Sequence, residues 1–273
     1  MHRSVVLCLL LAGASSTVAA KDALPAVDRF HIGAGRYWAD HDLDTRWDAS
    51  DGSLGTHVNF QRDLGFMDRQ DALTWTIGGS LGEERRHAFE AFGYDYDDDT
   101  VRLLDRTLLI GDNAYPVDAA FTGRLDLKIT GVSYTWFFLQ NGRRAAGVGL
   151  GAMRYDIEAD LDATATVAGS PVAYANDLSE AEWAPMLRAE YAQSLSAHWR
   201  WGASLAYTRK NSGNVTGDAL DAQVELEYFP WEHFGFSLRY NYNDVDLDFE
   251  RSRFDGNLNL NNRGPQLLGK LRF

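Results

Sequence analysis

The stretch Trp199 to Lys210, WRWGASLAYTRK, alternates strictly between two kinds of side chain and decides the fold class. One face carries Trp199, Trp201, Ala203, Leu205 and Tyr207, and the other carries Arg200, Gly202, Ser204, Ala206, Thr208 and Lys210. A period of two is that of a β-strand, whose successive side chains point to opposite faces. Aromatic residues stand at both ends of the apolar face, which is typical of a strand that faces lipid.

Segments 73–81, 182–194 and 221–229 repeat this alternation, with charged or small residues on one face and apolar residues on the other. So many charged faces are hard to place in the core of a soluble protein. A barrel with a polar interior and an apolar exterior accommodates all of them. The sequence therefore predicts an all-β fold, a closed antiparallel transmembrane β-barrel that forms a single domain over residues 21–273.

The number of strands follows from the turns. Tight turns, expected on the periplasmic side, are predicted at Gln140–Arg144, Ser194–His198 and Pro230–His233, and external loops are predicted at Val167–Leu178, Asn211–Gly217 and Arg251–Gly256. Counting back from Phe273 gives about ten strands. Phe30–Trp38 and Thr56–Phe66 both read as strands, although only one of them fits a count of ten. Splitting Ala88–Asp112 into two strands gives twelve, the alternative.

Two strands change phase midway. Leu125, Leu127 and Ile129 alternate in one phase and Val132, Tyr134, Trp136 and Phe138 in the other, so we expect a β-bulge near Gly131 that restores one outward face. The strand from Phe234 carries Asp244, Asp246, Asp248 and Glu250 in the phase of its apolar residues. Without a bulge these acids lie outside the barrel and with one they point inward. We favour the outside, because about ten residues already span the membrane.

The N-terminus has the layout of an export signal. Met1-His2-Arg3 precedes an apolar run from Val5 to Ala14, and small residues follow up to Ala20. This order is typical of a cleavable signal peptide over residues 1–20. The chain's one cysteine, Cys8, lies inside the apolar run, which argues against a lipid-modified cysteine.

The chain is acidic. Its net charge of −13 becomes −14 when the signal peptide and Arg3 are removed. Nucleic acid is therefore excluded as a partner, because binding to it depends on neutralising phosphates with basic residues.

The C-terminal residues carry the most specific pattern. Leu267, Gly269, Leu271 and Phe273 alternate with Leu268, Lys270 and Arg272, and the sequence ends on the aromatic residue. This end resembles the closing strand of bacterial outer-membrane β-barrel proteins, which the barrel-assembly machinery reads. The resemblance implies export to a Gram-negative outer membrane, with lipid and lipopolysaccharide as surroundings. We expect a monomer.

Candidates for chemistry are few. Asp40, Asp42 and Asp44 resemble the start of a calcium loop, but the spacing of glycine and glutamate that such a loop needs is missing. His41 among these acids is the nearest approach to a catalytic group at the rim. No nucleophile sits beside a base, so we expect no enzymatic activity and no cofactor.

Charged residues on the inward faces are the remaining candidates. They come from adjacent strands and can meet inside the barrel: Glu182, Arg188, Glu190, Arg200, Lys210, Asp221, Glu225 and Glu227. In a barrel of this size such groups fill the lumen, since wide aqueous channels need roughly 16 strands. We therefore expect a structural or surface-interaction role with acidic external loops. A narrow, porin-like channel is the alternative, and a hydrolase sited at the rim is the second alternative.

Removal of Phe273 should impair membrane insertion, because the resemblance implies that the barrel-assembly machinery reads the terminal aromatic residue. We expect a lower ratio of heat-modifiable to unfolded protein in the membrane fraction, measured by comparing boiled and unboiled samples on a denaturing gel. Phe273→Tyr is the matched control, since it keeps an aromatic ring. Equal insertion of the deletion variant and the control would contradict the assignment.

Overall fold

The computed structural model describes residues 23–49, 51, 54–110, 112–167, 170–211, 215–250 and 255–273. The predicted signal peptide, residues 1–20, lies outside these ranges. The strands are β1 (Phe30–Trp47), β2 (Val58–Asn59), β3 (Arg69–Leu81), β4 (His87–Leu103), β5 (Leu108–Ile110), β6 (Asn113–Tyr115), β7 (Ala120–Gln140), β8 (Arg144–Val167), β9 (Ser170–Ser194), β10 (Trp199–Lys210), β11 (Val215–Tyr228), β12 (Phe234–Glu250) and β13 (Asp255–Arg272).

Ten of these strands form a closed antiparallel barrel. Each pairs with its neighbour along the chain in the order β1, β3, β4, β7, β8, β9, β10, β11, β12 and β13, and β13 pairs with β1 to close the sheet. A path that starts at Leu43 on β1 and passes from each residue to its paired residue on the next strand returns to β1 at His31. The two ends of this path are twelve residues apart on β1. This offset tilts the strands by roughly 40° to the barrel axis.

The count of ten is confirmed, and the alternative of twelve is wrong. Segment Thr56–Phe66 contributes only the two-residue strand β2 and a π-helix at Phe60–Leu64, so it is not a strand of the wall. Ala88–Asp112 forms one wall strand, β4, before the chain leaves the wall for the small β5–β6 hairpin. Within the described ranges, no helix is long and apolar enough to cross a membrane.

The two ends of the barrel differ. Short connections at residues 82–86, 141–143, 195–198 and 229–233 form one end, which we call the turn end. The opposite end, the rim, was expected to carry long loops. Instead β9 begins at Ser170 and runs through most of the predicted loop Val167–Leu178. In the other two predicted loops, β11 begins at Val215 and β13 at Asp255, while residues 212–214 and 251–254 lie outside the described residues. Polar composition misled the prediction for Val167–Leu178, because a strand that extends into water is also polar on its outer face.

Near the turn end the outside of the barrel is apolar. Each wall strand contributes exposed apolar or aromatic side chains there, among them Ile32, Ile77, Phe89, Trp136, Leu150, Leu187, Leu205, Val224, Leu238 and Leu267. We call this zone the apolar band. The outward faces of β3, β9, β10 and β11 are those predicted from their alternation.

Above the apolar band, between it and the rim, the outer face of the wall becomes polar and the inner face becomes apolar. On β7, Tyr134 and Trp136 point outward near the turn end, whereas Leu125, Leu127 and Ile129 are buried inside near the rim. The register with β4 is unbroken along β7, and the register with β8 shifts only between Phe137 and Leu139. The bulge expected near Gly131 is therefore wrong. The apolar residues change face because water has replaced lipid outside the wall, so they now pack in a core.

The acids of β12 follow the same rule. Its pairing with β11 is continuous, and the side chains of Asp244, Asp246 and Asp248 lie outside while Val245 is buried within. The side chain of Glu250 lies outside the described residues. The favoured position of the three described acids, outside and without a bulge, agrees with this register.

Two inserted segments close the rim over the lumen. Residues 58–68 lie between β1 and β4, where Met67 donates its backbone N–H to Asp98 at 2.8 Å and Thr100 donates to the carbonyl of Leu64 at 3.1 Å. The β5–β6 hairpin buries Leu108, Ile110 and Tyr115 in the same core. In the described residues, the half of the barrel near the rim is thus filled by a packed apolar core.

Candidate functional site

The lumen at the turn end holds a buried ion-pair cluster. Nη2 of Arg200 lies 2.6 Å from Oδ2 of Asp28, and Nε of Arg200 also donates to Glu227. Nζ of Lys270 lies 2.6 Å from Oε1 of the same glutamate. All four side chains are at least nine-tenths buried. They balance two positive charges against two negative charges, which is what makes their burial tolerable.

Asp28 reaches this cluster on an N-terminal segment, residues 23–28, that we call the strap. The strap lies across the turn end: Leu24 donates its N–H to the carbonyl of Ser196 at 3.1 Å, and Ala26 donates to that of Gly142 at 2.8 Å. Nη1 of Arg200 donates to the carbonyl of Pro25 at 2.8 Å. The strap therefore closes the barrel at the turn end through backbone bonds and one buried ion pair.

A second charged level lies above the strap. Nη2 of Arg188 is 2.9 Å from Oε2 of Glu90, and its Nε is 2.9 Å from Glu190. Arg239 pairs with Glu225 at 2.7 Å. Between this level and the strap lies a cavity of about 120 Å³ that is lined by both charged and apolar side chains. The cavity is large enough for a few ordered waters and far too small for a continuous aqueous path.

Aromatic and amide side chains cross the middle of the lumen. Tyr37, Tyr94 and Tyr155 are almost completely buried, and the rings of Tyr37 and Tyr94 meet edge to face at 5.1 Å. Asn241 and Asn243 are buried at the same level, and Asn241 donates to Asp221 at 3.3 Å. The apolar core of the rim follows directly above. Apart from the cavity above the strap, side chains therefore fill the described lumen from the strap to the rim.

The structure brings most of the predicted lumen charges together. Besides the pairs above, Lys210 lies 2.6 Å from Glu182, nearer the rim. Sequence reasoning missed Asp28, Glu90, Arg239 and Lys270. The last two occupy the polar face of alternating strands and were detectable in principle. Asp28 was not, because the strap has no periodicity.

Asp40, Asp42 and Asp44 do not converge on a metal site. Asp40 pairs with Arg69 at 2.6 Å, and the side-chain amide of Asn59 donates to Asp42 at 2.7 Å and to Asp44 at 3.2 Å. Among the described residues, no group of three or more histidine, cysteine or acidic side chains could hold a metal ion.

His41 points away from those three acids. Its side chain lies inside the barrel, stacks on Tyr96 at 4.1 Å and shares a hydrogen bond of 2.6 Å with Asn262. The neighbouring acids occupy the outer face of the same strand, as alternation requires. His41 therefore does not share a face with the acids that precede and follow it in the sequence.

Outside the wall near the rim, acids and amides form a regular array. Register places Asn261 between Asp244 and Asp42, and Asn259 between Asp246 and Asp44. Asn259 donates to Asp246, and Asn261 donates to Asp244 at 3.3 Å. Partial burial raises the pKa of Asp246, and so do the carboxylates of Asp244, Asp218 and Asp248. The amides moderate a repulsion that this face nevertheless retains.

The segment that fills the rim is held by a different acid. Asp63 accepts hydrogen bonds from the side chains of Arg62 and Arg106 and from the backbone N–H of Asn59. Burial raises the pKa of Asp63, but these three donors outweigh it and lower the value to about 2. Asp63 therefore remains ionised and keeps residues 58–68 in the gap between β1 and β4.

Comparison of the fold with solved structures gives a clear match. The outer-membrane protease OmpT from Escherichia coli superposes with a TM-score of 0.58, at 10% sequence identity, over 89% of this chain and 97% of that one. The chain has the fold of an outer-membrane β-barrel protein. At this identity the match shows the fold alone.

Two further outer-membrane barrels align less well. The Pseudomonas putida toluene transporter TodX gives a TM-score of 0.35 at 7% identity over 90% of each chain. The translocator domain of the autotransporter NalP from Neisseria meningitidis gives 0.32 at 13% identity over 89% of this chain and 88% of that one. No family model and no curated protein sequence matches this barrel.

Loss of Arg200 should destabilise the barrel strongly, because Asp28 and Glu227 would keep buried charges without their shared partner. For Arg200→Met we expect the free energy of unfolding to fall by about 3–5 kcal/mol. Urea titration in detergent micelles, followed by tryptophan fluorescence, measures this change.

Arg209→Met is the matched control, because Arg209 lies on the same strand and is exposed. It should shift the unfolding midpoint little. Equal midpoints for the two variants would show that the buried cluster does not hold the turn end.

Proposed function

We propose that this outer-membrane barrel serves as a surface-interaction or structural protein and presents its charged outer wall above the membrane. The proposal rests on the change of the outer face along the strands, which is apolar near the turn end and polar near the rim. Beyond the apolar band the wall continues as a water-facing surface that carries acids on β1, β4, β8 and β12. A barrel that only needed to span lipid would require about 10 residues a strand, and β8 and β9 have 24 and 25.

The filled lumen favours this role over the alternative of a narrow channel. The strap, two ion-pair levels, the tyrosine layer and the rim core lie one above another along the barrel axis. A solute would have to displace all of them. Each buried ion pair that is broken costs several kcal/mol.

The enclosure of His41 argues against a hydrolase at the rim. A general base needs access to a substrate proton, and this imidazole is buried against Tyr96 and Asn262. OmpT is a protease, but a shared fold does not transfer a reaction without its site. We therefore propose that this barrel has no enzymatic activity and binds no cofactor.

The charges also favour one orientation in a Gram-negative outer membrane. Basic side chains stand just above the apolar band on several strands, at Arg69, Lys128, Arg154 and Arg263. Phosphates of lipopolysaccharide would lie at this level if the rim faced outward. The turn end would then face the periplasm, where the barrel-assembly machinery acts. We propose that the barrel is a monomer in the membrane.

Single-channel recording in planar bilayers tests the proposal against the channel. We expect no stable conductance steps from purified full-length protein at any moderate voltage, because the lumen is filled. Reproducible ohmic steps of one size would contradict it.

A cationic probe tests the role of the outer wall. Labelled polylysine should bind to cells that display the protein, and less of it should bind after Asp244→Asn with Asp246→Asn. Glu83→Gln with Glu84→Gln removes the same charge at the turn end and should leave binding unchanged. Equal losses from both pairs would contradict either the orientation or the surface role.

A further inference from the structure

The wall of the barrel is incomplete beside β9. This strand pairs with β8 along its whole length, from Ser170 to Gln193. It pairs with β10 only from Met186 to Ser194. Among the described residues, 170–185 therefore have a neighbouring strand on one side alone. At about 3.3 Å a residue, this free edge is about 50 Å long.

The backbone groups on the free edge can be assigned from the turn below. Ser194 donates its N–H to the carbonyl of Arg143, towards β8, and Leu195 donates to that of Trp199, towards β10. The direction alternates residue by residue, and the register with β8 is unbroken. Odd-numbered residues from Ala173 to Trp183 therefore direct N–H and C=O into the gap.

In the described part of the chain, one hydrogen bond reaches these edge groups, from the side chain of Asn113 to the carbonyl of Ala175 at 3.5 Å. Pro171 and Pro185 bound the edge at either end and lack an N–H. Between them lies a row of six backbone donors that face the gap, enough to pair with a strand of ordinary length.

The chain itself shows how such a gap is filled. Above β3 the wall is also short, and residues 58–68 occupy the space between β1 and β4, pairing with β1 through Asn59 and Val58. Within the described ranges no strand other than β8 pairs with β9 along residues 170–185, although the β5–β6 hairpin contacts this strand through Asn113 and through the ring of Tyr115, 5.4 Å from that of Tyr174.

A small apolar cavity of about 30 Å³ lies at the foot of the gap. Its lining includes Ile157, Ala184, Ala219, Val245 and Leu247, which belong to the inner faces of four different strands. The ion pair of Lys210 with Glu182 forms its margin. A strand laid along β9 would bring every second side chain to this inner face.

The charges around the gap are mostly negative. Asp177 is exposed on β9, and Asp218 and Asp246 stand opposite each other on β11 and β12. Two cations stand at the foot of the gap, and both are matched by acids: Lys210 pairs with Glu182, and Arg209 lies opposite Asp218 in the register with β11. Charge complementarity therefore selects a basic occupant over an acidic one.

We propose that the free edge of β9 binds an extended, basic segment of another protein, which adds to the sheet as a strand and places one small apolar side chain in the cavity. Main-chain hydrogen bonds would supply affinity, and the cavity and the acids would supply selectivity. An unpaired strand edge is a template for this kind of pairing. The inference rests on the proposed function, since it names the partner of the exposed wall.

Fluorescence anisotropy with full-length protein in detergent micelles tests this binding. The probe is a labelled peptide of about twelve alternating lysine and valine residues. The same peptide N-methylated at every second residue keeps its charge but loses the donors of one edge. We expect it to bind at least about ten-fold more weakly, since each lost hydrogen bond costs about 1 kcal/mol.

Ala175→Pro supplies the matching change in the protein. It removes one N–H that faces the gap and leaves the bonds to β8, so the peptide should bind about five- to ten-fold more weakly. Ala175→Thr keeps the N–H and should bind as the parent does. Heat-modifiable migration on a denaturing gel confirms that both variants are folded.

Equal binding of the methylated and unmethylated peptides would overturn the proposal, because charge alone would then explain the affinity. A protein dimer that the peptide disrupts would overturn it in favour of a second copy on the same edge. Conductance would refute the proposed closed lumen without changing either peptide result, so the two failures are distinguishable.

Discussion

The backbone must pair all its polar groups wherever the chain lies in lipid, and the rest of this structure depends on that constraint. An unpaired N–H or C=O costs several kcal/mol in hydrocarbon, so a sheet that spans the membrane must close on itself. Closure occurs between β13 and β1, where Phe30 and Phe273 exchange backbone hydrogen bonds of 3.1 and 2.9 Å. The tilt of the strands and the filling of the lumen follow from this closed cylinder.

Where the wall leaves the lipid, its backbone groups no longer need a partner within the protein, and the arrangement of strands and side chains changes. Water can satisfy a free strand edge, so the upper part of β9 can lack a partner strand. Water also reverses the preference of the outer face, and apolar side chains such as Leu127 and Leu161 turn inward to form a core. The protein thus combines a membrane barrel near the turn end with a water-soluble barrel near the rim, on continuous strands.

The sequence was sufficient for the part of the fold that lies in lipid. On β10 the alternation around Leu205 gave the correct outward face, and the tight turns gave the correct count of ten. The halves of the strands near the rim were predicted less well. Apolar residues were expected to face outward along the whole strand, which holds in lipid but not where water surrounds the wall. Leu125 and Leu127 were assigned to the outside through a bulge, and residues 170–178 were assigned to a loop.

The lumen was predictable only in part. Arg200 and Glu227 stand on alternating strands, and their meeting follows from strand order. Asp28 joins them from a segment without periodicity, and Tyr37 of β1 meets Tyr94 of β4 over the intervening strand β3. Such contacts depend on the shear of the wall, which no single strand encodes.

Along a continuous strand such as β7, the apolar side chains lie on the outer face near the turn end and on the inner face near the rim, without a bulge between them. Single cysteines on β7 test it directly, since the one native cysteine, Cys8, lies in the predicted signal peptide. A membrane-impermeant maleimide should label Lys128→Cys rapidly in folded protein and should label Leu127→Cys only after unfolding. Rapid labelling of Leu127→Cys together with protection of Lys128→Cys would contradict the account.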